Sequence, residues 1–122
     1  MNAMNIRRIK PNVQSERMDK SQKFYTEFFG LEVAMDMGWI VTLVSPNNPA
    51  AQISLLREPA PAAPQPQMSL TVEVADVDEA HANAVACGVP IVYPLTTETY
   101  GIRRFQVIDP NGVVINILSH YK

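Results

Sequence analysis

Cysteine occurs once in the 122 residues, at Cys87, so no disulfide can form within the chain. Histidine is nearly as scarce, with only His81 and His120, and two so placed make no Ser-His-Asp arrangement. A glycine-rich phosphate loop, CxxC, HxxxH and HExxH are all missing. Neither charge dominates: ten Lys and Arg against twelve Asp and Glu leave a formal charge of -2. No basic field exists to attract phosphate backbones, and no nucleic-acid partner is expected. No run of roughly 18 apolar residues occurs, and Met1 to Lys10 lacks the apolar core of a secretory signal. The expectation is a cytoplasmic protein with no membrane partner. The single thiol, beside Gly88, fits a reducing compartment.

What is present suits one globular domain over 1–122, with 47% hydrophobic and 18% charged residues. Ile9, Pro11 and Val13 alternate with Arg8, Lys10, Asn12 and Gln14, which predicts a strand over residues 8–14. Met18, Phe24, Tyr25, Phe28 and Phe29 fall at helical spacing and stop at Gly30. Strands are predicted over 31–35, 39–45 and 52–56, the last after the turn Ser45-Pro46-Asn47-Asn48-Pro49.

Beyond a segment containing Pro59, Pro61, Pro64 and Pro66, the pattern starts again. A strand over 68–74 leads to Asp76, an N-cap with Glu79 three residues on. Val77, Ala80, Ala84 and Val85 then form an apolar stripe that ends at Gly88. Strands follow at 91–93, 103–108 and 113–118, the last two joined by Asp109-Pro110-Asn111-Gly112. The expected architecture is α+β: a βαβββ unit used twice, 8–56 and 68–118, joined by a proline-rich linker, 57–67. Each sheet would carry a helix on one face only.

Function then turns on the other face. Alternation assigns it Arg8, Lys10, Asn12, Gln14, Gln52, Ser54, Ser69, Thr71, Glu73 and Asn116. Such a face is either simply solvated, as is common for antiparallel sheets, or the lining of a concave ligand site with Trp39, Tyr100 and Phe105 among its polar groups. Arg103 and Arg104 point to opposite faces, and alternation leaves open which of the two faces the ligand; Arg103 is taken as the candidate contact for a carboxylate or phosphate, with an ion pair as the structural alternative. His81 reads as part of the second helix's packing and His120 as exposed.

Two stretches resemble a known family. Lys23-Phe24-Tyr25-Thr26-Glu27-Phe28-Phe29-Gly30-Leu31-Glu32-Val33 looks like its FY-x-x-x-x-G-hydrophobic signature. Val74-Ala75-Asp76-Val77-Asp78 with Asp109-Pro110-Asn111-Gly112 matches its second half. The family is the glyoxalase, bleomycin resistance and extradiol dioxygenase group, the vicinal oxygen chelate superfamily. The resemblance covers nearly the whole chain and implies paired βαβββ modules, with antiparallel-rich mixed sheets curled into a cup and helices outside. It also implies a homodimer.

Its enzymes hold a divalent metal through His, Gln or Glu at four positions, which fall here on Lys10, Ser54, Ser69 and Asn116. None of these is a competent ligand: an ammonium has no lone pair, and hydroxyl and amide oxygens are weak donors for such metals. The expectation is therefore a cup that binds a small organic molecule, a drug or metabolite, without metal or other cofactor. The candidate ligand contacts are Lys10, Asn12, Trp39, Gln52, Ser54, Ser69, Thr71, Glu73, Tyr100, Arg103, Phe105 and Asn116. A metal-dependent lyase, isomerase or dioxygenase is the alternative, and a metal-free enzyme using Lys10 or Glu73 as acid or base is another. Bleomycin itself, bulky and cationic, suits poorly a face carrying Arg8 and Lys10 against Glu73.

Overall fold

In the computed structural model, which describes residues 7–57 and 68–121, the segment 8–14 forms a strand only over Asn12–Gln14 (β1). Upstream, a single bridge joins Ile9 to Ala51. The physical reason is Pro11, which has no N–H to give the ladder; its carbonyl still accepts from the Ser54 N–H at 2.9 Å. The proline-rich segment 58–67 lies outside the described residues.

The chain divides into two compact units, Met1–Pro61 and Ala62–Lys122. In the first, helix α1 (Met18–Lys23) runs into a π-helical turn over Phe24–Phe28. Gly30, at φ 73°, supplies the left-handed residue that ends it, and the Leu31 N–H reaches back to the Tyr25 carbonyl at 3.2 Å. Strands β2 (Glu32–Asp36), β3 (Ile40–Ser45) and β4 (Asn48–Leu56) follow. The β3–β4 turn is tighter than the sequence suggests: Ser45 pairs with Asn48, leaving Pro46-Asn47 as a two-residue loop. Pro49 is tolerated in β4 because β1 does not pair with that part of the strand. Strand order is β1-β4-β3-β2, with β1 and β4 parallel. Val13, Val41, Leu43, Ile53 and Leu55 share one face and are buried, as are Met18, Tyr25 and Phe28 of the helical segment.

The second unit has β5 (Ser69–Glu73), α2 (Val77–Ala86), β6 (Ile91–Thr97), β7 (Ile102–Ile108) and β8 (Val114–His120). Its order is β5-β8-β7-β6, again with one parallel pair, β5 and β8. The Asp76 side chain accepts from the Glu79 N–H at 3.1 Å, capping α2. At the other end Gly88 has φ 69°, and the Val89 N–H bonds the Ala84 carbonyl at 2.9 Å, which closes a Schellman turn.

Val77 and Ala84 are buried under this helix, but Val85 is 61% exposed. Eight residues after Val77 it lies about 80° around the helix, off the stripe to which its apolarity alone assigns it. His81 lies on the covered side instead, with its ring edge-on to Phe105 at 5.1 Å. The protein is thus α+β, with two open four-stranded mixed sheets, each carrying one helix. No helix among the described residues is long and apolar enough to cross a membrane.

Candidate functional site

The face of each sheet opposite its helix is defined by register. In the first unit Asn12 pairs with Ser54, Ser54 with Thr42 and Thr42 with Met35, one row across all four strands. Ser54 and Thr42 are buried, and their hydroxyls hydrogen-bond each other at 3.0 Å. That row is polar but internally satisfied. Gln52, opposite Val44 on the same face, donates its amide to the Pro49 carbonyl at 2.8 Å. Lys10 shares the parity of Asn12 and is half-buried. Trp39 stands outside these rows, at the end of the β2–β3 connection and 50% exposed.

The equivalent row of the second unit runs Thr71, Asn116, Gln106, Tyr93. Here the central amide is not satisfied: Asn116 Oδ1 is buried and has no hydrogen-bond partner. Ser69 and Thr71 are exposed beside it on β5. In the adjacent row are Glu73, Leu118, Arg104 and Thr96. Glu73 meets His120 Nδ1 at 3.0 Å, a pair in which both side chains are largely exposed.

Arg104 is held from two sides. Its Nε donates to Glu98 Oε2 at 2.9 Å, and its guanidinium lies over the Tyr93 ring, 4.9 Å from the centroid. The same Glu98 oxygen accepts from the Tyr93 hydroxyl at 3.1 Å and the Tyr100 hydroxyl at 3.2 Å. Arg104, followed by the two hydroxyls, holds the Glu98 carboxyl below the usual carboxylate range against the opposing effect of burial. Glu98 is a fixed anion here. Desolvation, then the bond to Glu98, pushes the Tyr100 phenol up. Tyr121 adds a hydroxyl bond to the Glu98 carbonyl.

Two expected contacts lie on the other face. Phe105 is fully buried on the side covered by α2, and Arg103 shares that side. Arg103 binds Asp78 of α2 through Nε and Nη2, the shortest contact being 2.9 Å, and Thr97 through Nη1 at 2.7 Å. Its guanidinium hydrogen bond holds the Asp78 carboxyl low. The reason is parity: Arg103, Phe105 and Val107 alternate with Arg104 and Gln106, and Val107 and Phe105 belong to the core. That signal was present in the strand, and applying it places Arg104 and Gln106 on the uncovered face. Glu98 and Tyr93 carried no such signal, because β6 shifts register between Tyr93 and Thr96. Tyr100, in the β6–β7 connection and 63% exposed, touches the cluster only through Glu98.

The four positions where the resemblance implies metal ligands do not make a donor set. Ser54 and Asn116 pair laterally with Asn12 and Thr71, while Ser69 sits opposite Val114. The Ser54 hydroxyl is engaged by Thr42, Lys10 is a cation, and no group of three or more His, Cys, Asp or Glu comes together among the described residues. These residues do not fit a divalent ion.

Comparison with known proteins agrees with this architecture. The chain resembles TioX from Micromonospora sp. ML1, with TM-score 0.75 and 19% identity over 93% of this chain and 96% of that one. A virulence protein from Salmonella typhimurium gives TM-score 0.73 and 21% identity over 96% and 99%. A glyoxalase/bleomycin resistance protein/dioxygenase from Nocardioides gives TM-score 0.76 and 15% identity over 99% and 87%. No functionally curated protein matches the chain. At these identities the structures speak for the fold alone, but the family profile matches the sequence itself over residues 8–117. With its twice-used βαβββ topology, the chain belongs to the Glyoxalase/Bleomycin resistance protein/Dioxygenase superfamily.

Proposed function

We propose that this protein binds a small organic molecule, a drug or metabolite, without a metal, on the face of its second sheet opposite α2. The observation that carries the reading is Asn116 Oδ1. A buried carbonyl oxygen with no donor costs about 1–3 kcal/mol, a cost relieved when a ligand displaces the side chains covering it and brings it an N–H or O–H. Around it the row Thr71, Asn116, Gln106, Tyr93 offers amide, hydroxyl and aromatic groups on adjacent strands, the mixture that orients small ligands. The corresponding oxygen of the first unit, Ser54 Oγ, already has Thr42, so the two sheets are not equivalent as sites.

Binding rather than catalysis suits the charged groups nearby, since Glu98 is fixed as an anion by three donors and Glu73 is engaged by His120. The protein would act as a sequestering or carrier protein, and as a homodimer in the cytoplasm. A thermal-shift screen of aromatic and polar metabolites, run in a chelating buffer, tests the reading. Hits should raise the melting temperature of the native protein and lose that effect in Asn116→Ala, while Thr42→Val retains it. Hits indifferent to Asn116→Ala, or binding that returns only with added Zn, Ni, Mn or Fe(II), would overturn it.

A further inference from the structure

Resting on that reading, we infer that the ligand is a small carboxylate that also carries a hydroxyl or amino donor, its carboxylate held by Arg104 and its donor by Asn116. Arg104 and Asn116 each keep hydrogen-bonding capacity on a single face. Of the Arg104 guanidinium, Nε is engaged by Glu98 at 2.9 Å and the group also interacts with the Tyr93 side chain, over whose ring it lies; Glu98 takes Nε alone. That leaves the end of the group away from Glu98 partly open, with its side chain 24% exposed. An arginine locked at Nε and stacked on Tyr93 has given up its rotamer freedom before any ligand arrives. Two parallel N–H donors in fixed geometry are the complement of a carboxylate.

The second unmet group has the opposite sense. Asn116 Oδ1 is an acceptor and needs a donor. Register relates the two: Gln106 faces Asn116 and Arg104 faces Leu118, so Arg104 and Asn116 are diagonal neighbours on adjacent strands, with Cα atoms about 7–8 Å apart. A single small molecule can span them.

Charge narrows the class further. Glu98 offsets Arg104, and Glu73 lies in the same row as Arg104. The face therefore has no surplus positive field to draw in any anion. Selection must come from short-range hydrogen bonds at both ends, which a plain carboxylate satisfies at only one. The outer side of the guanidinium, with Tyr93 behind it, also favours a planar molecule.

Three probes that share a ring separate these contributions: 4-hydroxybenzoate, 4-hydroxybenzamide, which lacks the carboxylate, and benzoate, which lacks the donor. Titrations followed by calorimetry and by amide NMR should show 4-hydroxybenzoate binding at least about tenfold tighter than either analogue. Its amide shifts should centre on β7 and β8. Arg104→Lys keeps a charge for Glu98 but loses the fork, and should weaken 4-hydroxybenzoate by a similar factor while leaving 4-hydroxybenzamide unchanged. Equal binding of the acid and the amide overturns the inference, as does binding indifferent to Arg104→Lys. If neutral molecules from the metabolite screen bind and depend on Asn116 while none of the three probes does, this assignment fails and the binding reading stands. If nothing binds this face, both fail.

Discussion

Adjacent arginines divide the labour of the second unit. Arg103 ties α2 to the sheet through Asp78, and Arg104 organises the opposite face through Glu98. Both carboxyls are held below their ordinary range by these guanidinium bonds, so each contributes stability that is present above the ordinary carboxylate value and lost as pH falls through the lowered one. Glu98→Gln and Asp78→Asn should therefore each flatten the loss of stability on acidification, as read by urea unfolding between pH 7 and pH 3. An acid limb identical to that of the parent would contradict the assignment. Packing gives the complementary expectation for Phe105, which is fully buried against His81. Phe105→Ala should cost about 3–5 kcal/mol, whereas exposed Val85→Ala should stay within about 0.5 kcal/mol. Chemical denaturation of the two variants measures the difference. A small loss at Phe105 would place that ring outside the core.

At the scale of elements, α2 is short, ten residues, and depends on its ends. Its N-terminus is closed by Asp76 on the Glu79 N–H, and Asp78 and Glu79 add favourable charge in the first turn. Asp76→Ala should cost about 1 kcal/mol, visible as a lower melting temperature with unchanged far-ultraviolet circular dichroism of the folded state. Asp76→Asn should recover most of the loss, since it keeps an acceptor; failure to do so would assign the effect to charge rather than capping. Strand elements were legible to within a few residues wherever alternation was clean, as in Ser69–Glu73 and Val114–His120. Strand bounds depart from the alternation where proline intervenes: Pro11 shortens β1, and β4 accommodates Pro49. Periodicity does not report which side of a strand lacks a neighbour, and that decides whether a proline can be accepted.

For the whole molecule, each unit repeats one topology while the chemistry of the sheet face opposite its helix differs. The first unit closes its central row with Thr42 and Ser54, and the second leaves Asn116 open. The positions where the resemblance implies metal ligands hold Lys10, Ser54, Ser69 and Asn116 here. On the proposed metal-free reading, protein purified without chelator should melt at the same temperature before and after exhaustive chelation, because chelation then removes nothing that binds the native state. A drop in melting temperature restored by one divalent ion would reverse that conclusion.

Local order was written in the chain itself. Helix stops at Gly30 and Gly88, the Asp76 cap and the apolar strand parities each follow from neighbours a few residues apart, and the two motif stretches pointed to the family. The uncovered face was only partly legible. Asn12, Ser54, Thr71 and Asn116 were placed on it by alternation, but which of them keeps an unmet oxygen depends on what register sets beside it, Thr42 in one sheet and Gln106 in the other. Of the Glu98 cluster, Arg104 follows from strand parity and Tyr100 was a candidate contact, but Glu98 and Tyr93 as its members were not legible. The cluster is assembled from two strands and the connection between them, past a register shift, and such a meeting of distant groups is decided by tertiary structure alone.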